Sequence, residues 1–285
     1  MKKFLAMLLT AVMVLGSFAA CGNNNDSDKI TAKVIDIQLT DEEYAFGVDK
    51  NQPELLEQVN AFITQIMSDG TFDKICNNYF GDGEPAAVTS AKKDSSKNQL
   101  VVATNAEFEP FEYTYNGNEY YGIDMEIAKA LADYLGKELV IDNMNFDAVC
   151  LSVGQHKCDI AMAGLTIKED RMEHVAFSTP YYQASQKLII KSDNTEFDSC
   201  KTSADIEAIF NAKGNKATVG FQNGTTGQFY CEGDEDWDFE GFDMKTKGYK
   251  NGSLAVMDLL NGNVDYVIID AAPADCITKA INDMQ

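Results

Sequence analysis

Three short stretches of this chain carry polar groups whose type and spacing suit chemistry. Arg171 closes the run Ala163-Gly-Leu-Thr-Ile-Lys-Glu-Asp-Arg171, and its guanidinium presents a planar fork of donors that fits a carboxylate. Gly224-Thr225-Thr226-Gly227 opens a predicted helix, where unsatisfied N–H groups and the helix dipole favour an anion. Asp270 ends the apolar run Asp265-Tyr-Val-Ile-Ile-Asp270, at the carboxyl edge where α/β proteins place their ligands, and its anion suits a cation. Plainer readings stand beside these. Thr166 with Glu169 has the spacing of a capping box, Arg171 could form a surface ion pair, and Asp270 could cap the helix that follows it.

Composition narrows the field. The 285 residues include 23 basic and 45 acidic side chains, a net charge of −22. Nucleic-acid binding and a basic patch for anionic lipid heads are both disfavoured. Two histidines, His156 and His174, make a histidine-rich metal centre improbable. The chain also lacks a GxSxG elbow, an HExxH pair, a Walker loop and a CxxC pair. No metal or cofactor is expected. An apolar fraction of 45% supports real cores, in one large domain or two medium ones.

The elements that must position these groups alternate. Residues 29–39 and 44–48 read as strands, and residues 53–69 as a helix with the apolar stripe Leu55, Leu56, Val59, Phe62, Ile63 and Ile66. A shorter helix follows, ending near Phe80. Residues 81–98 are Gly, Pro, Ala, Ser, Lys and Asp with almost no large apolar side chain, the composition of a solvated linker. Strands are then expected at 100–104, 138–142, 159–163, 186–191, 217–221 and 266–269. Helices are expected at 124–135, 147–154, 168–174, 203–212, 226–231, 253–260 and 272–283. Such alternation means an α/β fold with mostly parallel sheets. No short internal repeat is visible.

The start is an export signal: basic Met1-Lys2-Lys3, an apolar run to Leu15, then small residues before Cys21. That junction resembles a bacterial lipobox, with Phe18 where Leu is usual, so residues 1–20 are expected to be removed and Cys21 to carry lipid. Residues 21–28 form a polar tether. Six cysteines remain, and an extracytoplasmic setting permits disulfides, with Cys200 and Cys231 the preferred pair; reduced, buried thiols are the alternative.

Several spaced motifs carry a family resemblance. Leu100-Val-Val-Ala-Thr-Asn-Ala-Glu-Phe-Glu-Pro-Phe-Glu-Tyr113, Tyr121-Gly-Ile-Asp-Met-Glu-Ile127, the run ending at Arg171 and Pro180-Tyr181-Tyr182 resemble, in order, the polar amino-acid-binding proteins of ABC importers. Val219-Gly-Phe-Gln-Asn-Gly-Thr-Thr-Gly227 and the run ending at Asp270 continue the match. The family has the type II periplasmic-binding-protein fold, two doubly wound α/β lobes joined by a two-strand hinge. Glu42-Glu-Tyr-Ala-Phe-Gly-Val-Asp-Lys50 and Asp69-Gly-Thr-Phe-Asp-Lys74 resemble its C-terminal end, yet here they come first. The resemblance therefore implies a circular permutation. Lobe 1 becomes contiguous, 44–185, containing the joining stretch 81–98. Lobe 2 becomes split, 29–43 plus 186–285, with hinges near 42–45 and 184–187. A flexible stretch of that length reaches roughly 23 Å, which joins neighbouring ends of a monomer or permits a domain-swapped dimer.

By the same resemblance, Arg171 with Thr166, Thr225 and Thr226 would hold a ligand carboxylate. Asp270 would hold its ammonium group, the Gly164 carbonyl and the Thr166 hydroxyl would serve either the ammonium or the carboxylate side, and Phe108 and Phe146 would flank its side chain. Asn105 and Gln222 would face the distal end, where two neutral amides suit a polar, uncharged side chain. Glu107 or Asp147, turned inward, would instead admit a basic one. The implied function is a lipid-anchored receptor that closes on a free amino acid and delivers it to a membrane permease, without catalysis. The alternatives are a ligand sensor for a membrane partner, or a dehydratase of the same fold, for which Glu107 or Asp147 is the candidate acid–base group.

Overall fold

A computed structural model describes residues 29–115 and 117–284. The export signal, the tether and Cys21 lie outside the described residues. Two five-stranded sheets form two lobes. In the first lobe the strand order is Val175–Phe177, Gly47–Asp49, Ile160–Ala161, Gln99–Thr104, Glu138–Asn143. The last three strands run parallel, while Gly47–Asp49 is antiparallel to both of its neighbours. In the second lobe the order is Ala32–Ile35, Gln186–Lys191, Tyr266–Asp270, Thr218–Gln222, Lys245–Tyr249. The last three are parallel and the first two antiparallel additions.

Both sheets are covered on both faces, which is why their central strands read as unbroken apolar runs. Successive side chains leave a strand on opposite sides. Along Gln186–Lys191, Leu188 and Ile190 join Phe197, Ile206 and Phe210 on one face, and Ile189 joins Ala255, Val256 and Ile277 on the other. Tyr266–Asp270 divides likewise, Tyr266 and Ile268 against Val267 and Ile269. In the first lobe Leu100 and Val102 meet the helices Pro53–Ser68 and Ile123–Tyr134, and Ala103 meets the helix Val149–Gly154.

The lobes communicate through one antiparallel pair, Glu42–Tyr44 with Tyr182–Ala184, in the register Tyr182 to Tyr44 and Ala184 to Glu42. The expected strand over 29–39 is shorter than its composition suggested. Only Ala32–Ile35 is regular strand, because the Ile37 N–H bonds the Ile35 carbonyl at 2.8 Å in a tight turn that interrupts the ladder before the Leu39 N–H returns to the Gln186 carbonyl at 2.9 Å.

The stretch 81–98 is not the free, solvated linker its composition indicated. Val88–Thr89 pairs with Glu119–Tyr121, Val88 is buried, and the Ala91 N–H bonds the Leu139 carbonyl. The Ser90 hydroxyl accepts the Ile141 N–H at 2.8 Å. A few backbone bonds and one apolar anchor are enough to lay a polar segment along an edge strand. Of the two states left open for the cysteines, disulfides with Cys200–Cys231 preferred or reduced thiols, the structure has the second: all six described cysteines are free thiols. Cys231 is instead buried among the apolar side chains of the second lobe, the behaviour of a small apolar residue.

Gly122 shows how tightly the turn before the helix Ile123–Tyr134 is set. Its φ is +122°, and a β-carbon there would lie 2.1 Å from the Phe111 carbonyl oxygen. Gly122→Ala is expected to destabilise the protein by about 2 kcal/mol, read as a lower denaturant midpoint at unchanged slope.

Candidate functional site

The side chains expected to do chemistry sit where strands end. Asn105 follows Gln99–Thr104, Gly164 follows Ile160–Ala161, and Gln222 and Asp270 are the last residues of their own strands. The carboxyl ends of the two sheets thus face one cleft, as α/β topology favours. Nine of the ten residues expected at the site line a single cavity between the lobes. Its first-lobe wall is Phe108, Phe146, Gly164, Thr166 and Arg171, and its second-lobe wall is Gln222, Thr225, Thr226 and Asp270. The tenth, Asn105, stands behind Gln222: its Nδ2 donates to the Met144 carbonyl, and its Oδ1 accepts Gln222 Nε2 at 3.0 Å across the cleft.

The plainer readings of these residues give way to site geometry. Arg171 is buried, not a surface ion pair. Its guanidinium donates to the Thr166 carbonyl at 2.8 Å and the Gly224 carbonyl at 3.1 Å, and lies 5.4 Å from the Phe146 ring centre. Thr166 caps no helix; its hydroxyl donates to Glu42 at 2.6 Å and accepts from Thr226 at 3.1 Å. Asp270 sits at the start of the helix Ala271–Asp283 but makes no capping bond. Its carboxylate accepts the Tyr44 hydroxyl. Thr225 Oγ1 donates to the Gln222 carbonyl and so shapes the turn into the helix Thr226–Glu232. Gly164 has φ +54°, and a β-carbon there would come within 2.9 Å of the Phe108 ring.

Electrostatically the cleft has two poles. Arg171 supplies the positive one. At the other, Asp270 is 5% exposed and Glu42 4%. Burial first, and the Glu42 charge second, push the Asp270 carboxyl up to about 7, against the lowering effect of the Tyr44 hydrogen bond. Glu42 is well provided with donors, from Thr40, Thr166 and Gln186. Deeper still, burial raises Asp124 to about 6 although it accepts the Gly164 N–H and the Tyr181 hydroxyl. Glu112 is fully buried with neither carboxylate oxygen hydrogen-bonded, and burial, then Asp124, hold it well above the usual range.

Glu42, Tyr44 and Gln186 belong to this arrangement and were not among the expected site residues. Tyr44, at the start of an expected strand, was open to recognition, whereas the charge of Glu42 makes it read as a surface residue. Of the two carboxylates that could have turned inward, Glu107 is held at the rim by Lys250 at 2.8 Å and Asn251 at 2.6 Å. Asp147 borders a neighbouring hollow with Arg171. One buried donor-seeking atom remains in the cavity wall: Gln222 Oε1 has no hydrogen-bond partner. Among the described residues no group of three or more His, Cys, Asp or Glu could hold a metal ion.

Comparison with known proteins agrees with this geometry. The chain is 33% identical over 178 residues to ABC transporter arginine-binding protein 1 of Escherichia coli (strain K12), covering 62% of this chain and 65% of that protein. It is 29% identical to the arginine-binding extracellular protein ArtP of Bacillus subtilis (strain 168), covering 69% and 71%. The chain therefore spans about two thirds of the length of these curated relatives. A solved ancestral arginine-binding protein bound to glutamine superposes with a TM-score of 0.51 at 30% identity, covering 66% of this chain and 74% of that one. The family model for bacterial extracellular solute-binding proteins, family 3, matches residues 10–82 and 100–273. With that match over most of its length and two α/β lobes facing one cleft, the chain belongs to the bacterial extracellular solute-binding proteins, family 3.

Proposed function

We propose that the protein captures a free amino acid with a polar, uncharged side chain between its lobes and delivers it to the membrane permease of an ABC importer. The observation that carries this reading is the polarity of the cavity. Arg171 and Asp270 line it together, a guanidinium and a carboxylate, the complement of a zwitterion. In this reading Arg171, with Thr166, Thr225 and Thr226, takes the carboxylate. Asp270 and Gly164 take the ammonium group, and Phe108 and Phe146 flank the side chain. The unpartnered Gln222 Oε1, braced by Asn105, accepts an N–H from the side chain's end. A primary amide such as that of glutamine suits this acceptor. Among the described residues no carboxylate beyond Asp270 lines the cavity, and Glu107 is engaged by Lys250, which speaks for a neutral side chain. The names of the relatives make arginine the second ligand to test.

The same engagement of Glu107 speaks for binding over catalysis, since a general acid needs a free proton at the reacting group. Cys21 is the proposed lipid attachment point, after removal of residues 1–20, with residues 21–28 as tether to the membrane. We also propose that the chain is a circular permutation of the family order, with lobe 1 at 44–185 and lobe 2 at 29–43 plus 186–285. In support, the strand Gly47–Asp49 lies between Ile160–Ala161 and Val175–Phe177 in the sheet, yet precedes both by more than the whole first βαβ unit in sequence.

Thermal-shift measurements against the twenty amino acids test the reading. Free ligand at one hundred times its dissociation constant adds about 2.7 kcal/mol of stability. A shift with glutamine, lost in Arg171→Ala and in Asp270→Ala, is expected. A shift with arginine alone would replace the neutral side chain by a cationic one, and no shift with any amino acid, in folded protein freed of carried-over ligand, would sink the proposal.

The titration of Asp270 gives a second check with two opposite trends. Its carboxyl rises from 3.8 to about 7 on folding. Between those values the native state binds the extra proton, so this group's contribution to ligand-free stability declines as pH rises from about 4 to 7. An ammonium ligand requires the carboxylate, so affinity should fall below pH 7, by up to about tenfold per pH unit. Melting temperatures at pH 5 and pH 8 with and without ligand should show both trends, and Asp270→Asn should flatten the ligand-free one.

A further inference from the structure

A second feature links the lobes outside the ligand cavity. Lys168 lies between Thr166 and Arg171 on the first lobe, and its side chain is 4% exposed. Its ammonium group reaches Asp236 at 2.7 Å and Asp234 at 2.8 Å, both on the second lobe, and Asp170 at 3.3 Å on its own. It also stands 4.7 Å from the ring centre of Phe229, in the second-lobe helix Thr226–Glu232. Asp236 accepts the Asp170 N–H as well. Burial opposes the charge on Lys168, but the hydrogen bonds to Asp234 and Asp236 outweigh it and hold the pKa above the ordinary lysine value.

The partner side of this contact is built in advance. Asp234 and Phe239 exchange two backbone hydrogen bonds, at 2.7 and 3.1 Å, which close a small hairpin. Gly233 and Gly241 pinch its base at φ +97° and +74°, where β-carbons would strike the backbone opposite at 2.7 and 2.4 Å. Phe239 stacks on Tyr230 and meets Phe242, fastening the hairpin to the second-lobe core. The aspartates are thus presented at a fixed place, so that little ordering remains when Lys168 arrives.

We propose that Lys168 and the hairpin 233–241 form a latch that holds the cleft closed and keeps Thr166 and Arg171 in register with Thr226, independently of which ligand is bound. Lys168 is a positioning residue in this account; it touches no ligand. A buried ion pair is weak evidence for stability, but removing one of its partners is strongly destabilising because it leaves an uncompensated buried charge. Removal of Lys168 does more than delete an attraction. It leaves Asp234 and Asp236 facing Asp170 across the lobes, three like charges with no counterion, and turns the latch into a repulsion. The inference rests on the proposed closing of two lobes but not on the identity of the ligand.

Hydrogen exchange and small-angle scattering on the ligand-free protein test it without a ligand, so its failure is separable from that of the amino-acid reading. In Lys168→Met the amides of residues 164–168 and 224–228 should exchange at least about tenfold faster, and the radius of gyration should increase, while the central strands Gln99–Thr104 and Tyr266–Asp270 keep their protection. Lys168→Arg should behave as the unaltered protein does. Should Lys168→Met fail to fold, Asp234→Asn with Asp236→Asn, on the surface hairpin, must produce the same opening. Unchanged exchange and radius in a folded variant, or a uniform rise in exchange across both sheets, would overturn the latch.

Discussion

The antiparallel pair Glu42–Tyr44 with Tyr182–Ala184 is the constraint on which the site depends. It carries the chain between lobes, and it also delivers two side chains into the cleft. Period-two alternation turns Glu42 and Tyr44 inward and leaves Glu43 outside. Glu42 then meets Thr166 of the first lobe and Gln186 of the second, and Tyr44 meets Asp270. A hinge that only connected would need no buried carboxylate. This one places a negative charge beside Asp270 at a buried position, and that proximity, after burial itself, raises the Asp270 carboxyl to about 7. The negative pole of the cleft is therefore a property of the crossing strands as much as of the strand that ends at Asp270.

Chain order and spatial order part company in the first lobe. Gly47–Asp49 arrives first in sequence and inserts antiparallel between strands made much later. The sheet tolerates this because a strand's neighbours are chosen by register and by the apolar face it offers, not by when it occurs. The stretch 81–98 makes the arrangement workable. It runs along Glu138–Asn143 and Glu119–Tyr121, held by backbone bonds that a Ser- and Lys-rich composition does not advertise.

The site was more legible than the fold's edges. Gln222 and Asp270 end strands within strong apolar runs, so their meeting at one cleft follows from topology once the strands are recognised, whereas Arg171 comes from the short helix Glu169–Met172 and Thr166 from the loop before it. The strand Lys245–Tyr249 was invisible because its residues Lys-Thr-Lys-Gly-Tyr are nearly all exposed on a sheet edge and carry no apolar alternation. The short strands Glu107–Phe108 and Glu112–Thr114 were missed for a related reason: two or three residues give no period to read. Glu42 was hidden by its charge. A glutamate in a polar setting reads as surface, and only the tertiary donors Thr40, Thr166 and Gln186 explain its burial.

The closed cleft is held by bonds that a ligand can improve upon. Arg171 gives its N–H groups to two carbonyls, neutral acceptors, and a carboxylate accepts such bonds about twice as strongly. Asp270 has a phenol for partner, and an ammonium group is a better one. The space open to a water centre in the cavity is only about 10 Å³, enough for roughly one water, so an amino acid must enter through an open state and the lobes must close around it less tightly than they do here. Closure then exchanges weak internal pairs for charge-assisted ones made to both lobes at once. Contacts outside the cavity, such as Lys168 with Asp234 and Glu107 with Lys250, favour the closed state equally for every ligand. In the proposed reading, discrimination comes from the few groups assigned to the ligand side chain, Gln222 above all. A ligand with no differential contact there shifts the lobes no further than any other zwitterion would.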